Sequence, residues 1–150
     1  MAGFRFRLDS VLKLREQARD LRRQQLATAL GAERAVQEQR RQIESLRELQ
    51  LSELRSIVTP GEVDVDRAAA RRFHAGSLTL DLLRCDQKLR QLQAQTAECR
   101  QRLVLADQEV RVLEKLRETQ LQEWTQVQLQ KEQREREEAW QAANSRGADE

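Results

Sequence analysis

The sequence predicts an all-α protein, a two-helix antiparallel coiled-coil hairpin whose second helix is longer than the first and projects beyond it. In the middle of the chain, apolar residues recur at alternating steps of three and four, the pattern that packs one helix against another. The only proline separates two long stretches that lack helix-breaking clusters. Aromatic residues are 3% and charged residues 35% of the chain, which is typical of long helices.

The first helix is predicted from residue 4 to residue 58. Its seam, the line of positions that faces the partner helix, holds ten apolar residues among sixteen positions. The sixteen are Phe4, Leu8, Val11, Arg15, Ala18, Arg22, Gln25, Ala29, Ala32, Val36, Gln39, Ile43, Leu46, Gln50, Glu53 and Ile57. No proline interrupts this stretch, and Gly31 is a single weak point that costs about 1 kcal/mol.

A turn is predicted at residues 58–66. Pro60 cannot donate a backbone hydrogen bond, and it forces Thr59 out of the helical region. Thr59 and Glu62 also match a capping box, while Asp64 and Asp66 are further candidates to cap the second helix. Because the turn is short, the second helix is expected to fold back antiparallel to the first.

The second helix is predicted over residues 66–143, and its seam is the strongest pattern in the chain. Eleven of twelve positions are apolar: Ala75, Leu78, Leu82, Cys85, Leu89, Leu92, Thr96, Cys99, Leu103, Ala106, Val110 and Leu113. The two cysteines lie roughly 21 Å apart along the helix, so they cannot pair with each other. They are interpreted as small seam residues in a reducing compartment, with an intermolecular disulfide as the alternative.

Beyond Val127 the seam positions become charged, which predicts an exposed single helix followed by a disordered tail at residues 144–150. The whole chain, residues 1–150, is interpreted as one coiled-coil domain. This predicts a protein that works through long helical surfaces.

No pocket chemistry is expected, so the sequence predicts no enzyme and no catalytic, cofactor-binding or metal-binding residues. The chain has one histidine, His74, for which a solvated or capping role is favoured, and it has no glycine-rich phosphate loop. The charged N-terminus and the absence of a long apolar run predict a cytoplasmic protein. A net charge of +2 does not favour nucleic acid, although residues 5–23 are net basic and leave a nucleic-acid-binding arm as an alternative.

Two candidate contact surfaces follow from the helical phase. Four apolar side chains share one face of the predicted first helix: Phe4, Leu8, Val11 and Leu12. Phe6 points elsewhere together with Arg5 and Arg7, which suggests an exposed aromatic and basic surface at the open end of the hairpin. Phe73 and Leu80 lie off the seam and seven residues apart, so they share an outer face of the second helix near the turn.

Three stretches resemble the FliJ family of flagellar proteins. The opening stretch, residues 4–16, has that family's aromatic-basic-aromatic start, followed by a leucine, the Val11-Leu12 pair and an arginine. Residues 109–116 resemble the central stretch of the family. The pair Glu132-Gln133, followed by Glu137-Glu138, resembles its late acidic motifs, with Glu137 in a position where aspartate is usual.

The resemblance implies a cytoplasmic component of the flagellar type III protein export apparatus, a stalk that links a hexameric export ATPase to the export gate protein and binds export chaperones. Such a protein is peripheral at the cytoplasmic face of the inner membrane, through its partners only. A generic structural coiled-coil adaptor and a stalk of a virulence secretion system are the alternatives.

The resemblance to a rotary stalk implies that the open end contacts the ATPase. The N-terminal candidates for binding the ATPase are Phe4, Arg5, Phe6, Arg7, Val11 and Leu12, and the weaker C-terminal candidates are Trp124, Gln133, Glu137, Glu138 and Trp140. The alternative is that Phe4, Val11, Leu12 and Trp124 simply close the seam. Phe73 and Leu80 are the candidates for binding the export gate or a chaperone.

Overall fold

A computed structural model describes residues 3–58, 61 and 63–147 of the chain. Over these residues the protein consists of two helices, α1 (Asp9–Ile57, 49 residues) and α2 (Val65–Gly147, 83 residues), and contains no strand. The helices pack against each other as a hairpin. Arg15 of α1 contacts Glu109 of α2, and Arg40 contacts Asp86, so the helices run in opposite directions. The predicted fold class is confirmed.

Local chemistry explains where each helix begins. Helix α1 begins at Asp9 rather than at residue 4, and the Asp9 carboxylate lies 3.0 Å from the Lys13 ammonium one turn later. Helix α2 begins at Val65, because Asp64 acts as the N-cap: its side-chain oxygen accepts a hydrogen bond of 3.2 Å from the Arg67 amide. Asp64, one of the candidate caps, is therefore confirmed.

The turn between the helices contains Gly61, whose φ of 139° favours glycine. Thr59, Pro60 and Glu62 lie outside the described residues, so the capping box stays a prediction. At the other end, residues 144–147 belong to α2, so the prediction of a disordered tail is wrong for these four residues. Residues 148–150 lie outside the described part of the chain.

The predicted seam of α2 matches the burial pattern in full. All twelve positions are buried or half-buried, and Val110 is 0% exposed. Both cysteines are free thiols within this seam; Cys85 is buried and Cys99 half-buried. Because the packed face of α2 is apolar along its whole length, the apolar pattern in the sequence identifies that face correctly.

The predicted seam of the first helix is correct at nine of its sixteen positions and wrong by one residue at the other seven. The correct positions are buried or half-buried: Phe4, Leu8, Arg22, Ala29, Val36, Ile43, Gln50, Glu53 and Ile57. The other seven are exposed: Val11, Arg15, Ala18, Gln25, Ala32, Gln39 and Leu46. Their places in the seam are taken by the following residues: Leu12, Glu16, Arg19, Leu26, Glu33, Arg40 and Arg47.

Polar bonds to α2 explain why charged residues occupy the seam of α1. Arg40 Nε donates to Asp86 Oδ1 at 2.7 Å, and this hydrogen bond raises the pKa of the Arg40 guanidinium. The Thr96 hydroxyl, only 3% exposed, donates to the Glu33 carboxylate at 2.9 Å. Half-buried polar groups that find such partners avoid the desolvation penalty that would otherwise exclude them from a helix interface.

The hairpin contains two compact units, one formed by the described residues of Met1–Arg19 and Leu105–Glu150 and the other by those of Asp20–Val104. We call the first the base unit and the second the tip unit. In the base unit, Phe6, Leu12 and Val110 form the core. Residues 129–146 of α2 are all exposed, so this part of the helix contributes no side chain to the core.

Candidate functional site

Two surfaces carry the residues that the sequence singled out, and the first lies in the base unit. Residues 3–6 are not helical, and the chain turns at residues 7 and 8 before α1 begins. In this non-helical segment the burial of the side chains alternates from one residue to the next. Phe4 and Phe6 accordingly face inwards, while Arg5 and Arg7 are exposed.

The position of Phe6 corrects the expectation that it points away from the core. Its side chain is 6% exposed and packs in the cluster with Leu12 and Val110. The ring of Phe4 lies 6.2 Å from the ring of Trp124, at an interplanar angle of 56°. The prediction failed because it applied the helical period of 3.6 residues to a segment that lies before the start of α1 and is not helical.

The other candidates at this end of the hairpin are also either buried or exposed. Leu12 is buried, so it closes the seam as the alternative interpretation proposed, whereas the neighbouring Val11 is at the surface. Phe4 and Trp124 are half-buried against each other. Arg5, Arg7 and Val11 are therefore the N-terminal candidates that are free to touch a partner directly.

A cleft of about 660 Å³ opens beside this segment, and we call it the base cleft. Its lining residues are Phe4, Arg5, Phe6, Arg7, Asp9, Ser10 and Arg117. Three of them are arginines, and none of the three forms an ion pair with a described residue. The Asp9 carboxylate is paired with Lys13, so the cleft carries uncompensated positive charge.

The C-terminal candidates Gln133, Glu137 and Glu138 are all exposed on the part of α2 that follows Gln128. None of them lines the base cleft. Different residues of that part, Glu132 and Glu135, line a neighbouring cleft with Trp124 and Gly3. Trp140 is also exposed. The structure thus leaves these candidates accessible without bringing them together with Arg5 and Arg7.

The second surface lies in the tip unit. Phe73 is 82% exposed and Leu80 is 57% exposed, as the helical phase predicted. Phe73 also lines a largely apolar cleft of about 510 Å³, which we call the tip cleft. Its other lining residues are Leu54, Val58, Val63, Val65, Ala68, Ala69 and Arg72. Large exposed apolar side chains grouped in this way are typical of a surface that binds another protein.

Sequence reasoning missed part of each surface. Arg117 lies more than a hundred residues from Arg5 in the sequence, and no local pattern links them. Val58, Val63 and Val65 lie in or next to the predicted turn, where isolated valines do not indicate a surface. An extended reading of residues 4–7, with aromatic and basic residues in strict alternation, would have placed Phe6 correctly.

The described residues show no group of three or more side chains suited to holding a metal ion. No helix among them is long and apolar enough to cross a membrane. The one histidine, His74, is exposed beside Phe73.

A two-helix hairpin of this kind, with its buried residues along one seam, defines the class of coiled-coil proteins. Comparison with family models gives a match to the flagellar FliJ protein over residues 4–147. The chain therefore belongs to the FliJ family, a family of structural components of flagellar protein export. Comparisons with curated proteins and with solved structures give no significant match.

Proposed function

We propose that this chain is the coiled-coil stalk of the flagellar type III export apparatus and links the hexameric export ATPase to the export gate. It works in the cytoplasm, at the cytoplasmic face of the inner membrane, where its partners hold it. The base unit binds the ATPase, and the outer face around Phe73 and Leu80 binds the export gate protein or an export chaperone. Family membership supports the flagellar role.

The observation that carries the proposal is that each of the two units of the hairpin has an exposed surface of its own. A protein that links two partners needs two such surfaces. The base surface is basic and polar, with Arg5, Arg7 and Arg117 around one cleft. The tip surface is mainly apolar, with Phe73 and three valines around another. Surfaces of such different chemistry favour two different partners.

A hairpin is suited to contact a ring of identical subunits because its two helices carry different side chains. It can therefore present different surfaces to subunits that are otherwise equivalent. Helix α2 continues beyond Gln128 with exposed residues of both charge signs, such as Glu132 and Arg136, which lie 4.0 Å apart. This segment supplies polar contacts to a ring without requiring a matching apolar wall. It also contains Gln133, Glu137 and Glu138, the predicted C-terminal contacts.

The ATPase contact is tested by measuring the affinity of the purified full chain for the export ATPase of the same organism. Arg5→Glu with Arg7→Glu should weaken binding by roughly tenfold, because two exposed charges each contribute about 1 kcal/mol or less. The control is Arg90→Glu with Arg100→Glu, which makes the same change in net charge at two exposed arginines of α2. Equal losses in both variants would indicate a general charge effect and refute the specific contact.

The gate contact is tested with Phe73→Ala and Leu80→Ala in the same chain, using the soluble part of the export gate protein and, separately, export chaperones. Binding of one of these partners should fall while binding of the ATPase stays unchanged. Leu105→Ala with Val112→Ala is the matched control, since both residues are similarly exposed but belong to the base unit. Unchanged binding of every partner would remove this face from the proposal.

The same measurements separate the alternative functions. A generic structural adaptor would not bind the wild-type export ATPase at all. A stalk of a virulence secretion system would bind the ATPase of that system more tightly than the flagellar one. The family match to the flagellar proteins favours the flagellar partner.

A further inference from the structure

We infer that the base cleft is a receptor for an acidic segment of the partner protein, with Arg5, Arg7 and Arg117 as the binding groups. The inference rests on the proposed binding of the ATPase. It adds the chemistry of the contact, and it adds Arg117, a residue to which the sequence assigned no role.

The first argument is that charge in the cleft is unbalanced. Arg5, Arg7 and Arg117 all line it, and none of them pairs with a described carboxylate. Among the described lining residues Asp9 alone is acidic, and its carboxylate is already engaged with Lys13 at 3.0 Å. Three like charges that share one cleft repel one another, and a bound anion relieves that repulsion.

The second argument is that the arginines are held by rigid parts of the fold. Arg5 and Arg7 alternate with Phe4 and Phe6, whose rings are packed inside the base unit. Arg117 projects from α2, so two separate elements supply the three guanidinium groups. Because the backbone is fixed beforehand, ligand binding has to order only the side-chain ends.

The walls of the cleft also favour an anion. Phe4 and Phe6 line it, and apolar walls reduce the screening of charges by water. Ser10 lies in the first turn of α1 and supplies a hydroxyl donor to the same cleft. The positive end of the α1 dipole lies at this turn and adds a smaller favourable contribution for negative charge.

The acidic ligand is assigned as a protein segment because two neighbouring arginines of the base unit are already engaged in ion pairs. Arg15 pairs with Glu109 at 3.0 Å, and Arg111 pairs with Asp107 at 2.8 Å, so neither extends the positive charge of the cleft. A nucleic acid needs a continuous line of cations that follows its phosphates. A short run of Asp or Glu needs only a few guanidinium groups, which match carboxylates with two parallel hydrogen bonds.

The first experiment measures the affinity of the full chain for the export ATPase as a function of salt, with Arg117→Glu and Arg117→Gln. Arg117→Gln should weaken binding roughly three- to fivefold and reduce its salt dependence, and Arg117→Glu should weaken it by roughly tenfold. Arg100→Glu is the matched control, since Arg100 is exposed on the same helix and lies outside the cleft. Helicity should be unchanged in every variant, because Arg117 contributes no ion pair to the fold.

If the wild-type chain binds the ATPase and Arg117→Glu binds it equally well, the inference is overturned while the proposed function stands. If the wild-type chain does not bind the ATPase, the proposed function is overturned. A second experiment then decides on the cleft itself: a capped tetraglutamate peptide is titrated into the full chain, and the side-chain Nε–Hε signals of the arginines are followed by nuclear magnetic resonance.

The inference requires saturable shifts at Arg5, Arg7 and Arg117 that Arg117→Gln weakens at the other two. Shifts spread over all exposed arginines would show general screening and would overturn it. Equal shifts with inorganic phosphate at the same ionic strength would show a small-anion site rather than a receptor for an acidic segment. Tighter competition by a short DNA duplex than by the peptide would reject the assignment of a protein ligand.

Discussion

Phe6→Ala is the substitution that best distinguishes two possible roles of Phe6: holding the N-terminal backbone in place, or touching the partner protein directly. The Phe6 side chain is 6% exposed and packs with Leu12 and Val110. Removal of a buried phenylalanine ring costs about 3–5 kcal/mol. We expect the lower end of this range, about 3 kcal/mol, because the segment before α1 is short and can partly collapse into the gap.

The assay is amide hydrogen exchange in the first turns of α1. The Leu12 amide donates to the Leu8 carbonyl oxygen at 2.9 Å, so its exchange reports the opening of this end. A loss of about 3 kcal/mol should accelerate that exchange by roughly a hundredfold. Phe6→Leu keeps most of the buried volume and should restore most of the protection, while Phe73→Ala is the control for removal of an exposed ring.

Binding of the ATPase should fall in parallel with protection of the Leu12 amide, because Arg5 and Arg7 lose the support of the buried ring. A residue that touched the partner directly would instead lower affinity without changing exchange in the free chain. Exchange within about threefold of wild type in Phe6→Ala would refute the anchoring role, since a gap that costs about 3 kcal/mol cannot leave the opening equilibrium unchanged.

The remaining predictions concern stability. Phe73→Ala with Leu80→Ala should change the midpoint of urea unfolding very little, because both side chains are exposed; a large loss would place them in the core. Glu33→Leu with Thr96→Val should raise the free energy of unfolding by roughly 1 kcal/mol, since it replaces a partly buried polar pair by apolar seam residues. Thr96→Val alone should lower it, because the Glu33 carboxylate loses its donor. Val110→Ala should lower it by about 2 kcal/mol, measured by urea unfolding, for the loss of a fully buried side chain.

The seam of α2 and the fold class followed from the sequence because α2 presents apolar residues wherever it packs. At Leu82 and Leu103, for example, apolarity and burial coincide, so the period of the pattern also gives its phase. The Pro60 break then implied a hairpin. The presence of two helices was therefore predictable. The residues at which they begin and end depended on single caps such as Asp64, whose hydrogen bond selects it from several candidates.

The seam of α1 was only half predictable because polarity and burial separate there. At positions 39 and 40, both candidates are polar, and only a specific partner on the other helix places Arg40 inside and Gln39 outside. The sequence contains Arg40 and Asp86 but not the register that brings them within 2.7 Å. A pattern of apolar residues cannot give the phase of a helix whose packed face is partly charged.

The phase of α1 also decides which residues can take part in binding at the base. Val11 and Leu12 were indistinguishable in sequence, since both are apolar and both follow the N-terminal aromatic residues. The structure puts Leu12 in the core and Val11 at the surface, one residue after Ser10 of the base cleft. A single step along the helix, about 100° of rotation, therefore separates a seam residue from a surface residue. The same holds before the helix, where Phe6 is buried and the next residue, Arg7, is exposed. The aromatic and basic residues of the N-terminal stretch consequently differ in position: the rings pack inside the base unit, and the arginines that alternate with them lie at the surface, where a partner can reach them.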